Sequence, residues 1–247
     1  MDIQLKGGFT THDRRLDRIP QFDAKSLNYP AMRGLAAYAP RGYTWSVPRH
    51  LDQGQEGACV GFGFGADGLA RPNPVLFIDN KYAQEVYIAA QKVDDWEGED
   101  YEGTSVLAGA KVMHSRGFFD EYQWSYDLDS LVLSVGYKGP AIIGVNWYEG
   151  MLDTDSDGFI RATGEIMGGH CTLIYKVSYK NRYFGIWNSW SESWGVNGTA
   201  KISFDDMEFL LSKDEMGEAC IPVNRHNFVQ SRHSSNQLIV GKNILEE

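Results

Sequence analysis

Apolar positions recur at a helical interval early in the chain and gather into strand-length runs later. Over 79–92, Tyr82, Val86 and Ala89 or Ala90 share one face, and Asp79 stands where an N-cap belongs, so the spacing predicts a helix. Thr104 to Arg116 reads as a second helix, stopped by Gly117. The stretch Ala58–Leu69 is almost wholly apolar but carries glycines at 61, 63, 65 and 68. Each glycine costs a helix about 1 kcal/mol relative to alanine, so helix forms there only if burial on all sides stabilises it. After Pro140 the pattern changes to strands: Ala141–Trp147, Thr172–Val177, Tyr183–Trp187 and Thr199–Phe204, then a short helix over Asp206–Leu211 and a last strand at Cys220–Val223.

Helices early and strands late predict an α+β protein of two unlike lobes, one helical and one a sheet or barrel. Residues 1–40 are polar, punctuated by Pro20, Pro30 and Pro40, with Arg14, Arg15 and Arg18 clustered, and read as an extended arm wrapping the body. The expected organisation is the arm, a body over 41–224 with lobes of about 41–135 and 136–224, and a polar tail over 225–247. No internal repeat is visible.

Composition narrows the partners. A chain of 247 residues with 43% hydrophobic content can bury a substantial core. The formal charge of −10 leaves no basic footprint for nucleic acid or an anionic membrane. No apolar run approaches the roughly 18 residues of a membrane span, and the N-terminus lacks the apolar core of a signal peptide. The expected location is cytoplasmic or virion-associated. Three cysteines argue against a disulfide scaffold, and Cys171 and Cys220 are expected to be small buried apolar residues. There is no Cys-x-x-Cys pair, and His170 and Cys171 on a strand would point to opposite faces, so a zinc site has little support.

The chemistry concentrates at four positions. Cys59 follows Gly57-Ala58 where the doubtful helix would begin, and a thiol at a helix N-terminus is shifted toward thiolate by the dipole. His170 and Asn188 stand eighteen residues apart around the polar stretch Ser178–Arg182. A hairpin turning there would set them nearly opposite, on one face if the turn has an odd length, so that the amide orients the imidazole. Gln53 could donate its side-chain amide to an oxyanion, together with the Cys59 N–H. For each of these residues the bland alternative is a structural role; their combination favours an acyl-transfer site.

Two other motifs are weaker. Gly63-Phe-Gly65-Ala-Asp-Gly68 fits a dinucleotide fingerprint but follows no convincing strand. Asp153, Asp155 and Asp157 open like a calcium loop, yet the twelfth position is Gly164, so an acidic solvated turn is favoured over a cation site.

Between about Tyr43 and Val223 the chain resembles papain-family (clan CA) cysteine peptidases. The resemblance is carried by Gln53-Gly-Gln-Glu-Gly-Ala-Cys59, Tyr101-Glu-Gly-Thr-Ser105, Gly139-Pro140, Gly168-Gly-His170 and Asn188-Ser-Trp190 with Trp194-Gly195 and Gly198 behind. It implies that Cys59 is the nucleophile, His170 the base and acid, Asn188 the orienter and Gln53 an oxyanion donor. It also implies that Trp190 shields the His–Asn pair, that Gly103 holds an extended substrate through its backbone, and that Gly144 and Gly169 border the main specificity pocket. Glu56 stands where relatives often carry a disulfide cysteine, Val60 replaces an aromatic, and the Cys-to-His spacing is shorter than the roughly 130–150 residues of larger members. These departures resemble bacterial or phage-type members, and the arm is shorter than the inhibitory prosegment of lysosomal ones.

The expected function is hydrolysis of peptide bonds in a peptide or protein substrate through a thiol acyl-enzyme, with no metal or organic cofactor. One rival is a structural or assembly protein, virion-associated for example, that keeps the fold and docks to a larger particle through the arm. Another is a transpeptidase or amidase acting on cell-wall peptides.

Overall fold

The computed structural model describes residues 2–22, 28–97 and 102–226, so Tyr101 and nearly all of the polar tail lie outside the described residues. In chain order the elements are β1 (Ile3–Gln4), β2 (Thr10–Thr11), β3 (Tyr43–Thr44), α1 (Cys59–Leu69), α2 (Asn80–Gln91), α3 (Val106–Ser115), β4 (Phe119–Ser125) and α4 (Leu128–Tyr137). They continue with β5 (Ala141–Tyr148), β6 (Phe159–Ile160), β7 (Ile166–Ser178), β8 (Tyr183–Trp187), β9 (Thr199–Ser203), α5 (Phe204–Leu210) and β10 (Glu218–Arg225).

The glycine-rich α1 does form, and burial is the reason: all of its residues are buried. Its glycines let neighbours approach where a side chain could not. A Cβ on Gly61 would lie 2.2 Å from the Ala83 carbonyl oxygen of α2, and one on Gly63 would lie 2.9 Å from Cys171 Sγ of β7. The propensity cost is thus offset by packing a helix between a helix and a sheet. Side chains cap the other helices: Asp79 accepts from the Tyr82 N–H, Ser105 from Ala108 and Asp127 from Ser130.

The large sheet runs in the order β4-β10-β5-β7-β8-β9-β6, with β3 also on β7, and every pairing is antiparallel except β6 with β9. Both faces of its centre are buried, which is why these strands read as continuous apolar runs. Ile142, Cys171, Leu173 and Cys220 face the core built with α1, α2 and α3. Their alternate neighbours, among them Ile143, Val145, Ile174 and Ile221, enter a second core with α4, α5 and the tryptophans. Cys171 and Cys220 are buried and free, as expected of small apolar residues.

Two elements depart from the sequence reading. β4 and α4 precede Pro140, where the sequence reading begins the strands, yet β4 pairs with β10 and so belongs to the sheet that the late strands form. Strand β7 is also longer than expected, since it begins at Ile166 and runs through the Gly168-Gly169 pair.

The described part of the first forty residues lies against the body and is tied to it near Lys6 and near Ala31. Near its start β1 and β2 form a small antiparallel hairpin, and the fully buried Lys6 ammonium meets the Asp94 carboxylate at 2.9 Å. Further on, the Ala31 N–H donates to the Trp124 carbonyl and the Trp124 N–H to the Tyr29 carbonyl. Between these pins the chain enters the cleft beside Cys59.

Candidate active site

Cys59 is the first residue of α1, and its predecessor Ala58 offers no side-chain cap. The partner at that helix end comes from the arm. Asp17 Oδ1 accepts from the Cys59 thiol at 3.0 Å and from the Cys59 N–H at 3.3 Å. Its Oδ2 accepts from the Tyr87 hydroxyl at 2.5 Å, and that hydroxyl in turn accepts from the Gly103 N–H at 2.9 Å. The expected shift toward thiolate is therefore reversed. Burial, then the Asp17 charge, pushes the Cys59 pKa well above its ordinary value. Burial also lifts Asp17 to about 6 against the hydrogen bonds from Tyr87 and Cys59.

On the sheet wall, His170 Nε2 and Asn188 Oδ1 are 2.8 Å apart. The Ser189 N–H also donates to Asn188 Oδ1, which fixes that atom as the acceptor and makes Nε2 the protonated nitrogen. His170 Nδ1 is buried with no partner, so it is free to accept a proton. The pair meets by a route that the spacing alone did not show. The turn between Ser178 and Tyr183 has an even length, and an irregularity between Ile174 and Lys176 shifts the register. The shift restores the parity, and Asn188, one residue beyond β8, reaches His170 diagonally from the same face. Trp147 and Trp190 flank the imidazole with ring centroids at 4.7 and 4.8 Å. Burial holds His170 down to about 4, against the Asn188 hydrogen bond.

Gln53 is locked to the strand end by its own N–H to Ser189 O and by the Ser189 hydroxyl to its Oε1. Its Nε2 donates to the arm at the Arg15 carbonyl, 3.2 Å, and to the Glu56 carbonyl, 2.8 Å. The two donors anticipated for an oxyanion, Gln53 Nε2 and the Cys59 N–H, thus both meet oxygens of the arm. The Arg15 guanidinium carbon lies 4.1 Å over the Trp190 ring.

After a turn over Asp13–Leu16, residues 17–19 run through the cleft as an extended strip bonded to both walls. The Arg18 N–H donates to Gly169 O, the Ile19 N–H to Thr104 O, and the Thr104 N–H to Asp17 O. The ladder expected at Gly103 is therefore made one residue later, at Thr104, because the Gly103 N–H is taken by Tyr87. Gly103 still matters sterically: with φ of +101°, a Cβ there would come 2.8 Å from Ile19 and 3.0 Å from the Asp17 carbonyl oxygen. Gly144 and Gly169 flank Arg18, which reaches past them to Glu218.

Asp17, Tyr87 and Glu218 were not singled out by sequence reasoning, and Arg18 was noted only as one of a cluster of arginines in the arm. Each lies far in sequence from what it touches, and Tyr87 reads simply as part of a helix face. The three aspartates of the acidic loop form a turn: Asp155 accepts from the Asp157 and Phe159 N–H groups and from Arg161. Among the described residues no group of three or more His, Cys, Asp or Glu is placed to hold a metal ion. No described helix is long and apolar enough to cross a membrane.

The fold is the papain-like α+β fold of cysteine proteases, which accords with the motifs read from the sequence. No family model matches the chain. Xylellain, a cysteine protease from Xylella fastidiosa, superposes with a TM-score of 0.63 at 13% identity, covering 87% of this chain and 97% of that one, and fits the bacterial-type resemblance. The bromelain protease from Ananas comosus, solved with the E64 inhibitor, gives 0.56 at 13% identity, covering 76% of this chain and all of that one, 100%. Cathepsin B of Dictyostelium discoideum is 30% identical over 86 residues, a stretch that spans 34% of this chain and 28% of that relative's length.

Proposed function

We propose that this chain is a cysteine peptidase that hydrolyses peptide bonds through a thiol acyl-enzyme, and that residues 13–19 hold it latent. One observation carries the reading. A thiol at a helix start, an amide-oriented imidazole and two oxyanion-type donors gather around one short segment of the arm, residues 15–19. That segment lies where a peptide would have to lie.

With the arm out of the cleft, Cys59 loses the carboxylate that raises its pKa, and His170 Nδ1 takes the thiol proton. Asn188 Oδ1 keeps the other ring proton on Nε2 and stabilises the imidazolium. The thiolate adds to the scissile carbonyl carbon, and the resulting oxyanion accepts from Gln53 Nε2 and the Cys59 N–H. His170 returns its proton to the leaving amine as the C–N bond breaks. It then deprotonates the water that attacks the thioester, and the carboxylic product leaves as the thiol reforms.

The test compares the full chain with its Asp17→Ala/Arg18→Ala variant, using a fluorogenic peptide amide and mass spectrometry after an epoxysuccinyl thiol probe. The variant is expected to label at Cys59 at least about tenfold faster and to turn over peptide, and Cys59→Ala to abolish both. Absence of both labelling and turnover in both chains would sink the peptidase reading. The tied-down arm also suits an assembly protein that never opens, and stoichiometric incorporation into a particle with a silent thiol would favour that alternative. Product analysis with competing amines separates hydrolysis from transpeptidation.

A further inference from the structure

The Tyr87 hydroxyl has a single proton to give, and the fold fixes where it goes. Tyr87 stands on α2 and is only 4% exposed. Its oxygen accepts from the Gly103 N–H at 2.9 Å and from Gln91 Nε2 at 3.2 Å. With both acceptor positions taken by permanent parts of the fold, what remains is the O–H itself. It donates to Asp17 Oδ2 at 2.5 Å, the oxygen of that carboxylate not bonded to Cys59. Burial and the Asp17 charge hold the phenol well above its ordinary pKa, so it stays a donor.

The space around that oxygen is made by glycine. A Cβ on Gly57 would lie 3.0 Å from Asp17 Oδ2 and 2.9 Å from the Arg14 carbonyl oxygen, while Gly103 leaves room for the Asp17 backbone. The result is a small subsite on the helical wall, beside the thiol, with one aimed donor at its end. Among the described residues no cation pairs with Asp17, which is held by hydrogen bonds from Tyr87 and Cys59. The subsite therefore offers a hydrogen bond without a counter-charge.

From this we infer that Tyr87 is a specificity-determining donor, which selects a short side chain ending in a hydrogen-bond acceptor, asparagine above all, in the residue whose carbonyl the thiol attacks. The inference rests on the peptidase reading above. The walls decide which substrate residue is meant. His170 hands its proton to the leaving amine, so the leaving side of a substrate lies toward the sheet wall. A side chain directed at α2 then belongs to the acyl side, whichever way the arm itself runs. Leucine matches asparagine in size but would bury the Tyr87 O–H without an acceptor. A site built around such a bond discriminates against the analogue that lacks it. Asparagine also supplies its oxygen without the cost of burying a charge.

The experiment uses the full chain carrying Asp17→Ala/Arg18→Ala, with two fluorogenic peptide amides that differ only in asparagine or leucine at the acylating residue. The asparagine substrate is expected to lead by about fivefold in kcat/KM, the worth of one net hydrogen bond. Adding Tyr87→Phe is expected to bring that ratio to about one. The phenylalanine keeps the ring, and a purely structural loss would slow both substrates alike and leave the ratio untouched. A second readout needs no chemistry: fluorescence anisotropy of dye-labelled peptides of the same two sequences on the same chain with Cys59→Ser. Tighter binding of the asparagine peptide that Tyr87→Phe cancels, without turnover in the first assay, would uphold the subsite and remove the peptidase reading. A ratio of one or less in either assay before Tyr87 is changed, or a preference that survives Tyr87→Phe, overturns the inference whatever the turnover.

Discussion

Cys59 on the helical wall and His170 on the sheet wall are both fully buried, and burial is the main influence on each, yet their polar partners differ in standing. The imidazole is packed between Trp147 and Trp190 and aimed by Asn188, all permanent parts of the fold, and burial keeps it neutral, with Arg15 and Asp13 of the arm acting on it as lesser influences. The thiol is governed in large part by a removable group, since its polar partner is the Asp17 carboxylate of the arm. Burial pushes the thiol up and the imidazole down, so the closed site holds a thiol and a neutral ring instead of an ion pair. On the proposed latency, releasing the arm would act most directly on the thiol wall, whereas the aim of the imidazole is set by the fold.

The largest effect tests the fixed wall. In the Asp17→Ala/Arg18→Ala chain, His170→Ala is expected to cut kcat about 10⁴-fold, and Asn188→Ala about a hundredfold with little change in KM. An Asn188→Ala enzyme of undiminished kcat would show that the tryptophan cage alone orients the ring. On the helical wall, Gly61→Ala is expected to destabilise the fold by about 3 kcal/mol in urea titration, because its methyl would meet the Ala83 carbonyl oxygen at 2.2 Å. Tyr87→Phe removes the hydroxyl between Asp17 and Gly103, and Cys59 labelling in the full chain should rise about fivefold, the worth of one net hydrogen bond. Unchanged labelling would mean that Asp17 holds its place without Tyr87.

The smallest effect concerns pH. Asp17 is raised from 3.8 to about 6 by burial, so the folded chain keeps this proton where the unfolded chain releases it. The stability this protonation contributes is fully present below about 4 and is lost as pH rises through about 6. The Tm of Asp17→Asn should therefore gain on that of the parent between pH 4 and pH 7 in calorimetry. A gain in the opposite direction would show that Asp17 is ionised throughout.

Local signals were legible in the sequence and distant ones were not. Cys59, His170, Asn188 and Gln53 each sit in a short glycine- or tryptophan-marked context, and Asp79 and Ser105 announce helices whose caps they form. The α1 helix could be read only conditionally, since its propensity opposes the packing that stabilises it. β4 hid because its burial is uneven and its partner β10 arrives a hundred residues later. The register shift at Tyr175 leaves no composition mark, although it brings Asn188 to His170. Asp17 and Glu218 acquire meaning only once the arm lies in the cleft, a contact that no periodicity encodes.

The two pins of the arm, Lys6 on Asp94 and Ala31 on Trp124, give the strip between them an unusual kinetic standing. A segment held at both ends that leaves the cleft stays nearby, at an effective concentration on the order of millimolar. Thermal opening is then followed by rapid recapture, and a single nick in the backbone would still leave each half tethered by one pin. Durable release therefore calls for loss of a pin as well as of the strip, so the threshold for opening would be set far from the thiol, at a buried lysine.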